Sequence, residues 1–427
     1  MKKKRIVCFG PGPVFKGGIS NYNTSLAKAF NKFSNSIEEV HIVSWTQQYP
    51  AIIPREFIDK KSKSDLLKDT SIKVKYITNY NNPFSWHATY KYILSLKPDI
   101  VIFQWSISVQ GLPLGWMARK LSKHKEIEII FDLHFVIQKE KSSIDKLLTR
   151  YGIAPATTYI THAYKTIDEL KTLFPENTYT VTENGQREKN TDSKTVIKLY
   201  HPVYDLFQPD PGFNIEAFKK EHHLKKYVFL FFGLIRKYKG LHNAIKAFKI
   251  LADKRDDVSL LICGESFWQT VDQTKISNKI KKALFNAGKS LFLKKGENED
   301  DYRPLELIKE LGLENKTMVV NDFIPNEDVH KYFQVSNCVL LFYLYATPSG
   351  VESLGYNFEM PILATRVGHF PETIKDSYNG YLAEPDNIES MALQMERFLE
   401  HPIDKKNVAF TANNMSWENY AKAILNN

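Results

Sequence analysis

FLFFGLIRKYKG, Phe229–Gly240, is the stretch on which the reading of the fold turns. The apolar run Val228–Phe232 ends at Gly233, and a short basic loop follows with Arg236 and Lys239 three residues apart. After Gly240 comes LHNAIKAFKILADK, with apolar residues at helical spacing. A short unbroken apolar run before a helix reads as a strand buried in a parallel sheet. The loop at the carboxyl end of such a strand is where open α/β sheets bind ligands. Two fixed cations beside a helix N-terminus suit a phosphate or diphosphate. A solvated basic loop accounts for these twelve residues equally well, so the rest of the chain has to decide.

Outward from this stretch the pattern repeats in both directions. Towards the N-terminus, Arg5–Gly10 reads as a first strand. The turn-rich PGPVFKGGI follows, and then a helix over Ser20–Phe30. Gly17 and Gly18 therefore lie between a strand and a helix start, where glycine lets a backbone approach a ligand closely. VHIVSW (40–45), IKVKYI (72–77), DIVIFQW (99–105), IEIIFDLH (127–134) and TTYITH (157–162) are strand-like. Helical patterns lie at 112–121, 143–150 and 164–173. Asp59–Asp69 reads as a polar, lysine-rich surface connector and Asn177–Ser193 as a loop or hairpin. VIKLYHPVYD closes this half. Beyond Phe229 the strands continue as SLLICGE (259–265), TMVVNDFIP (317–325), CVLLFYLY (338–345) and PILATRVG (361–368). Asn326 is placed to cap a helix over Glu327–Phe333, and further helices read over Asn387–Leu399 and Ser416–Leu425. Alternating strands and helices make doubly wound parallel sheets. We expect an α/β chain of two halves joined near Asp205–Phe213.

The bulk properties are compatible with this. A chain of 427 residues, 43% hydrophobic and 25% charged, has room for two or three domains. No run of about 18 apolar residues reads as a membrane span. The first apolar run, Ile6–Phe9, is short for a signal-peptide core and fits a strand. The three cysteines, Cys8, Cys263 and Cys338, sit in strand-like runs without metal-ligand spacing, which points to buried thiols in a reducing cytoplasm. The net charge of +10 suits nucleic acid, an anionic membrane or phosphorylated substrates and does not choose among them. No recognised nucleic-acid motif accompanies it, so no nucleic-acid partner is expected.

One segment interrupts the alternation, a basic insertion at about 266–302. Between Lys275 and Lys295 it carries seven lysines and no acid, with Ile276, Ile280, Leu284, Ala287 and Leu291 on one helical face. A basic helix with an apolar face can lie in the headgroups of an anionic bilayer, although the same stripe would also pack on a domain. The expected partner is an anionic membrane surface, with the protein peripheral on its inner face.

GPGPVFKGGISNYN (10–23), YHPVYDLF (200–207), FFGLIRKYKGL (231–241), ICGE (262–265) and SGVESLGYNFEMPILATRVGHFPE (349–372) together resemble family-4 glycosyltransferases of the GT-B fold. The match runs over most of the chain in order. The resemblance implies two Rossmann-like domains facing across a cleft, the second binding a nucleotide-sugar donor and the first a glycan or lipid-linked acceptor. It implies sugar transfer with retention of configuration, no cofactor, and a last helix crossing back to the first domain. It also distributes roles. His134, Arg236 and Lys239 would be catalytic. Gly17, Gly18, Gly233, Glu265, Ile324, Ser349, Gly350, Val351 and Glu352 would bind the donor. No Asp-x-Asp motif follows a strand, so phosphate charge would be met by Arg236, Lys239 and the helix start at Ser349–Val351 without metal.

The chain departs from the family in one respect. Many members carry two donor-site glutamates eight residues apart; aligned on Pro361, those positions here are Ala346 and Leu354. Glu352 is the nearest carboxylate, on the first turn of the same helix, and is expected either to contact donor hydroxyls in their place or to serve only the helix dipole. The missing pair leaves a second reading open, a non-catalytic GT-B protein that binds a nucleotide sugar or a partner transferase.

Overall fold

A computed structural model describes residues 2–50, 57–136, 143–187, 192–266, 302–346 and 349–426. The insertion, including Lys275–Lys295, lies outside the described residues.

Two parallel sheets carry the fold. The first comprises β1 (Lys4–Phe9), β2 (Ile37–Gln47), β3 (Lys73–Asn79), β4 (Ile100–Trp105), β5 (Glu128–Leu133), β6 (Thr158–Thr161), β7 (Tyr179–Thr182) and β8 (Lys194–Lys198). Their spatial order is β3-β2-β1-β4-β5-β6-β8-β7. The second comprises β9 (Tyr227–Phe232), β10 (Val258–Cys263), β11 (Thr317–Val320), β12 (Cys338–Leu341), β13 (Ile362–Thr365) and β14 (Gly380–Ala383), in the order β11-β10-β9-β12-β13-β14. Every pairing in both sheets is parallel. In both, the order reverses beside the first strand, so β1 and β9 end at switch points where crevices open. This is a GT-B architecture, two Rossmann-like sheets on one chain.

Burial explains the apolar runs. All six residues of β4 and of β10 are buried, as expected of strands covered by helices on both faces. Helix Leu241–Ala252 buries Leu241, Ala244, Ile245, Phe248 and Leu251, the helical stripe that follows the opening motif. The last helix, Trp417–Leu425, is capped by Ser416 and returns to the first sheet's layer. There Trp417 and Tyr420 pack against Tyr22 of helix Gly18–Asn31.

Several expectations need correction. The 177–193 segment is not a hairpin: Tyr179–Thr182 is an edge strand parallel to β8. Four short residues between polar flanks gave no alternation to read. Asn326 does not cap a helix from Glu327; residues 326–328 form a 3-10 turn, and the α-helix is Val329–Gln334. Only Cys338–Leu341 of the run 338–345 stays in the ladder, because the chain then bends into the cleft wall. Helix Pro83–Ser95, capped by Asn82, was not legible, since its aromatic residues are spread around its circumference and only Thr89 and Ile93 are buried. The 59–69 connector is not merely surface; part of it crosses to the second half, as detailed below.

The switch point of the second sheet needs glycine. Gly264 has φ 151°, and a Cβ there would fall 1.9 Å from the Gly233 carbonyl oxygen. Gly264→Ala is therefore expected to cost about 2 kcal/mol or more, read as a lowered urea midpoint.

Candidate functional site: the cleft between the sheets

The loops after β1 and β9 face one another across a cavity of about 310 Å³. From the first half, Gly17 and Gly18 line it, with Lys16 and Tyr204. From the second half, Gly233, Lys239, Glu265 and Ile324 line it, with Ser349, Gly350 and Val351 at the start of helix Gly350–Asn357. The structure thus brings together nine of the twelve residues expected at the site. A larger hollow of about 640 Å³ lies between the last helix and the edge of the first sheet, and none of the expected residues lines it.

Lys239 is the unusual group. It ends the 3-10 turn Lys237–Lys239 and is buried. Its Nζ occupies the space a side chain at Gly233 would take, 2.8 Å from the position of a Cβ there. Its ammonium stands over the Tyr343 ring, 5.8 Å from the centroid. Among the described residues no carboxylate or other hydrogen-bond acceptor meets its ammonium. Burial, and then the Arg236 guanidinium, push its pKa from the ordinary 10.5 down to about 7. Arg236 is half-buried, over the Tyr238 ring, and does not itself line the cavity.

Opposite, Ser349 makes no side-chain capping bond, so the first-turn amides of helix Gly350–Asn357 are left for something in the cleft. Tyr204, which motif reading left without a role, joins the two sides. Its ring packs on Gly350, with ring atoms from 2.7 Å of a Cβ position there, and its hydroxyl donates to the Gly18 carbonyl at 2.9 Å.

Glu352 turns away from the cavity. Its carboxylate accepts from His369 Nε2 at 2.5 Å and from the Thr373 hydroxyl. Leu354 presents an apolar side chain to the cavity instead. The first-turn carboxylate is thus committed to the 366–373 turn, because two buried donors there need an acceptor.

His134 does not line the cavity either. It is buried behind the helix that starts at Gly18, edge-on to Tyr22 at 4.7 Å. Its Nε2 donates to Gln104 Oε1 at 2.8 Å, which fixes the tautomer. Burial drives its pKa down to about 4 against the pull of Asp132, so the ring is neutral at pH 7. Around it lies a cluster that sequence reasoning missed. Asp132 accepts from His162 at 3.0 Å, from Tyr22 at 2.9 Å and from Tyr420 at 3.2 Å. Burial alone would raise its carboxyl, but His162, His134 and Tyr22 outweigh that and hold it below the usual range. His201 Nδ1 meets Ser353 Oγ at 2.6 Å, tying this cluster to helix Gly350–Asn357 across the halves. Only spacing in three dimensions shows it, since the members come from six separate segments.

Among the described residues, no three His, Cys, Asp or Glu side chains converge as metal ligands.

Residues 213–417 match the family described as glycosyl transferases group 1. The matched segment takes in nearly all of the second half. No curated protein matches the chain. Among solved structures, a glycosyltransferase from Rickettsia africae has a TM-score of 0.64 at 17% identity, over 99% of this chain and 96% of its own. The Anabaena protein HepE in complex with UDP-glucose gives 0.60 at 16%, over 99% and 97%. Sucrose-phosphate synthase from Thermosynechococcus elongatus gives 0.58 at 13%, over 100% and 95%. At these identities the likeness shows the shared GT-B fold. The group 1 segment contains every cavity-lining residue named above for the second half.

A buried, uncompensated ammonium weakens the fold that holds it, and pH should reveal this. The unfolded chain keeps this proton up to about pH 10.5 and the folded protein only to about pH 7. Between those values the unfolded state binds more protons, so stability rises with pH. Relative to Lys239→Met, the wild type should gain on the order of 1.4 kcal/mol per pH unit in that window. Urea denaturation at pH 7, 8 and 9 checks this; a constant gap between the two proteins would mean the lysine is not held uncharged by burial.

Proposed function

We propose that this chain is a retaining, metal-independent glycosyltransferase. It moves a sugar from a nucleotide-sugar donor to a glycan or lipid-linked acceptor, in the making of a surface polysaccharide or glycolipid. The observation that carries this is Lys239, a buried cation with no anion among the described residues, set beside a helix start that Ser349 does not cap, in the cleft between two Rossmann-like halves. A structure that keeps a charge so disposed at a cost in stability is supported best by a ligand that neutralises it. The leaving group of a nucleotide sugar is a diphosphate, and catalysis then consists largely of stabilising charge on its oxygens. Lys239 Nζ and the Ser349–Val351 amides would meet that charge directly, and Arg236 would strengthen the field from the same turn. Gly17 and Gly18 would let the first half close on the donor sugar, with the neutral His134 held by Gln104 on the acceptor side. Glu265 and Ile324 would contact the donor from the loops that follow their strands, and Glu352 would hold its helix against the 366–373 turn through His369.

In this reading residues 1–205 with 415–427 form the acceptor side and 206–414 the donor side. The enzyme would work in the cytoplasm, on the inner face of a membrane. Three buried free thiols accord with a reducing compartment. No helix among the described residues is long and apolar enough to cross a membrane. Because HepE is a UDP-glucose complex, UDP-hexoses are the first donors to assay.

A second reading, a non-catalytic nucleotide-sugar binder, is favoured by one observation: Leu354 occupies the cavity wall while Glu352 is engaged elsewhere. The two readings part on turnover. We expect donor-dependent product that survives EDTA. Arg236→Ala and Lys239→Ala should each lower kcat/KM by about one to three orders of magnitude. His134→Ala should lose activity while keeping its thermal midpoint within a few degrees. UDP binding without turnover across a panel of nucleotide sugars and acceptors would favour the binder, and loss of activity in EDTA restored by magnesium would end the metal-free mechanism.

A further inference from the structure

Residues 57–63 run along one side of the cleft and are bound on both edges. Towards the first half, Ile58 forms an antiparallel bridge with Phe15, Lys16 N–H donates to the Phe57 carbonyl, and Asp59 N–H donates to the Val14 carbonyl. Towards the second half, Lys61 pairs with Asp322, the Ser62 hydroxyl accepts from Asn326 N–H at 2.9 Å, and Lys63 N–H donates to the Glu327 carboxylate at 3.1 Å. Asp59 lines the cavity, as do Asp322 and Asn326. The contacts therefore stand at the rim of the same cavity that holds Lys239.

We infer that residues 57–63 are a gate, and that nucleotide enters and leaves the cleft by breaking the contacts of Lys61, Ser62 and Lys63 to the 322–327 loop. The inference rests on the proposed reading of the cleft as a nucleotide-sugar site. Two features distinguish this seam from the permanent junction between the halves. The first is its pre-formed shape. Asp59 Oδ1 accepts from the N–H groups of Lys61 and Ser62, a local turn that survives when the far contacts are broken. The second is weakness. Lys61 and Asp322 are 45% and 57% exposed, so water and salt screen their attraction. The junction that does not open is buried: His201 with Ser353, and Tyr204 with Gly18 and Gly350. A seam that must part at every turnover is better made of exposed, individually weak contacts on a stiff strap.

A reversible lock tests this. Ser62→Cys with Asn326→Cys places two thiols across the seam; the native Cys8, Cys263 and Cys338 are buried, and because Cys263 lines the cavity the wild type oxidised in the same way is the control. The reduced double variant is loaded with radiolabelled UDP, oxidised, and its release compared with the reduced form. Release should slow by roughly ten-fold or more on oxidation and recover with dithiothreitol. Equal release from the cross-linked and reduced forms overturns the gate. Failure of both the wild type and the reduced variant to bind UDP overturns instead the nucleotide reading beneath it. Should the disulfide not form, Lys61→Ala with Glu327→Ala opens the seam from the other direction. It should speed UDP release about threefold or more, and an unchanged rate overturns the gate.

Discussion

A lysine ammonium buried without a counter-charge among the described residues is the constraint around which this structure is arranged. Placing Lys239 where it lies requires that Gly233 have no side chain, that Gly240 take a left-handed turn at φ 66°, and that Gly264 let two strand ends approach. It also requires a second half rigid enough to hold the charge against its own desolvation. β9, β10 and β12, buried throughout or nearly so, supply that rigidity.

The first half is organised to present complementary surfaces to this charge. Its glycine loop offers backbone, and Tyr204 locks that loop to the helix start opposite. Behind the loop, Asp132 is a buried carboxylate that would be untenable alone and is sustained by His162, Tyr22 and Tyr420. Tyr420 comes from helix Trp417–Leu425, so that helix helps to hold the inner wall of the first half. The halves are joined by buried polar bonds along this inner wall and by exposed ones along the outer rim, a difference that sets which side can open.

Much of this was legible in the residues. The strand pattern, the basic loop at Arg236–Lys239, the glycines at 17–18 and the helix start at Ser349 are local signals, and the structure gathers most of them around one cavity. Short edge elements such as Tyr179–Thr182 and Gly380–Ala383 were not legible, because four residues do not establish a period. Glu352 shows a different limit. Its place on the first turn of a helix was evident, yet its direction depends on His369 and Thr373, seventeen and twenty-one residues away.

By itself, then, the sequence determined the two parallel sheets and the chemistry on offer at their switch points, because apolar runs, glycines and fixed cations act through neighbours along the chain. Tertiary structure decided which of those groups face the cleft. Arg236 and His134 carry the expected chemistry but stand behind its walls, while Tyr204 and the strap at 57–63 reach it from the first half. The physical reason is that burial, and with it the charge state of Lys239 and His134, is a property of everything packed around a residue and not of its place in the chain.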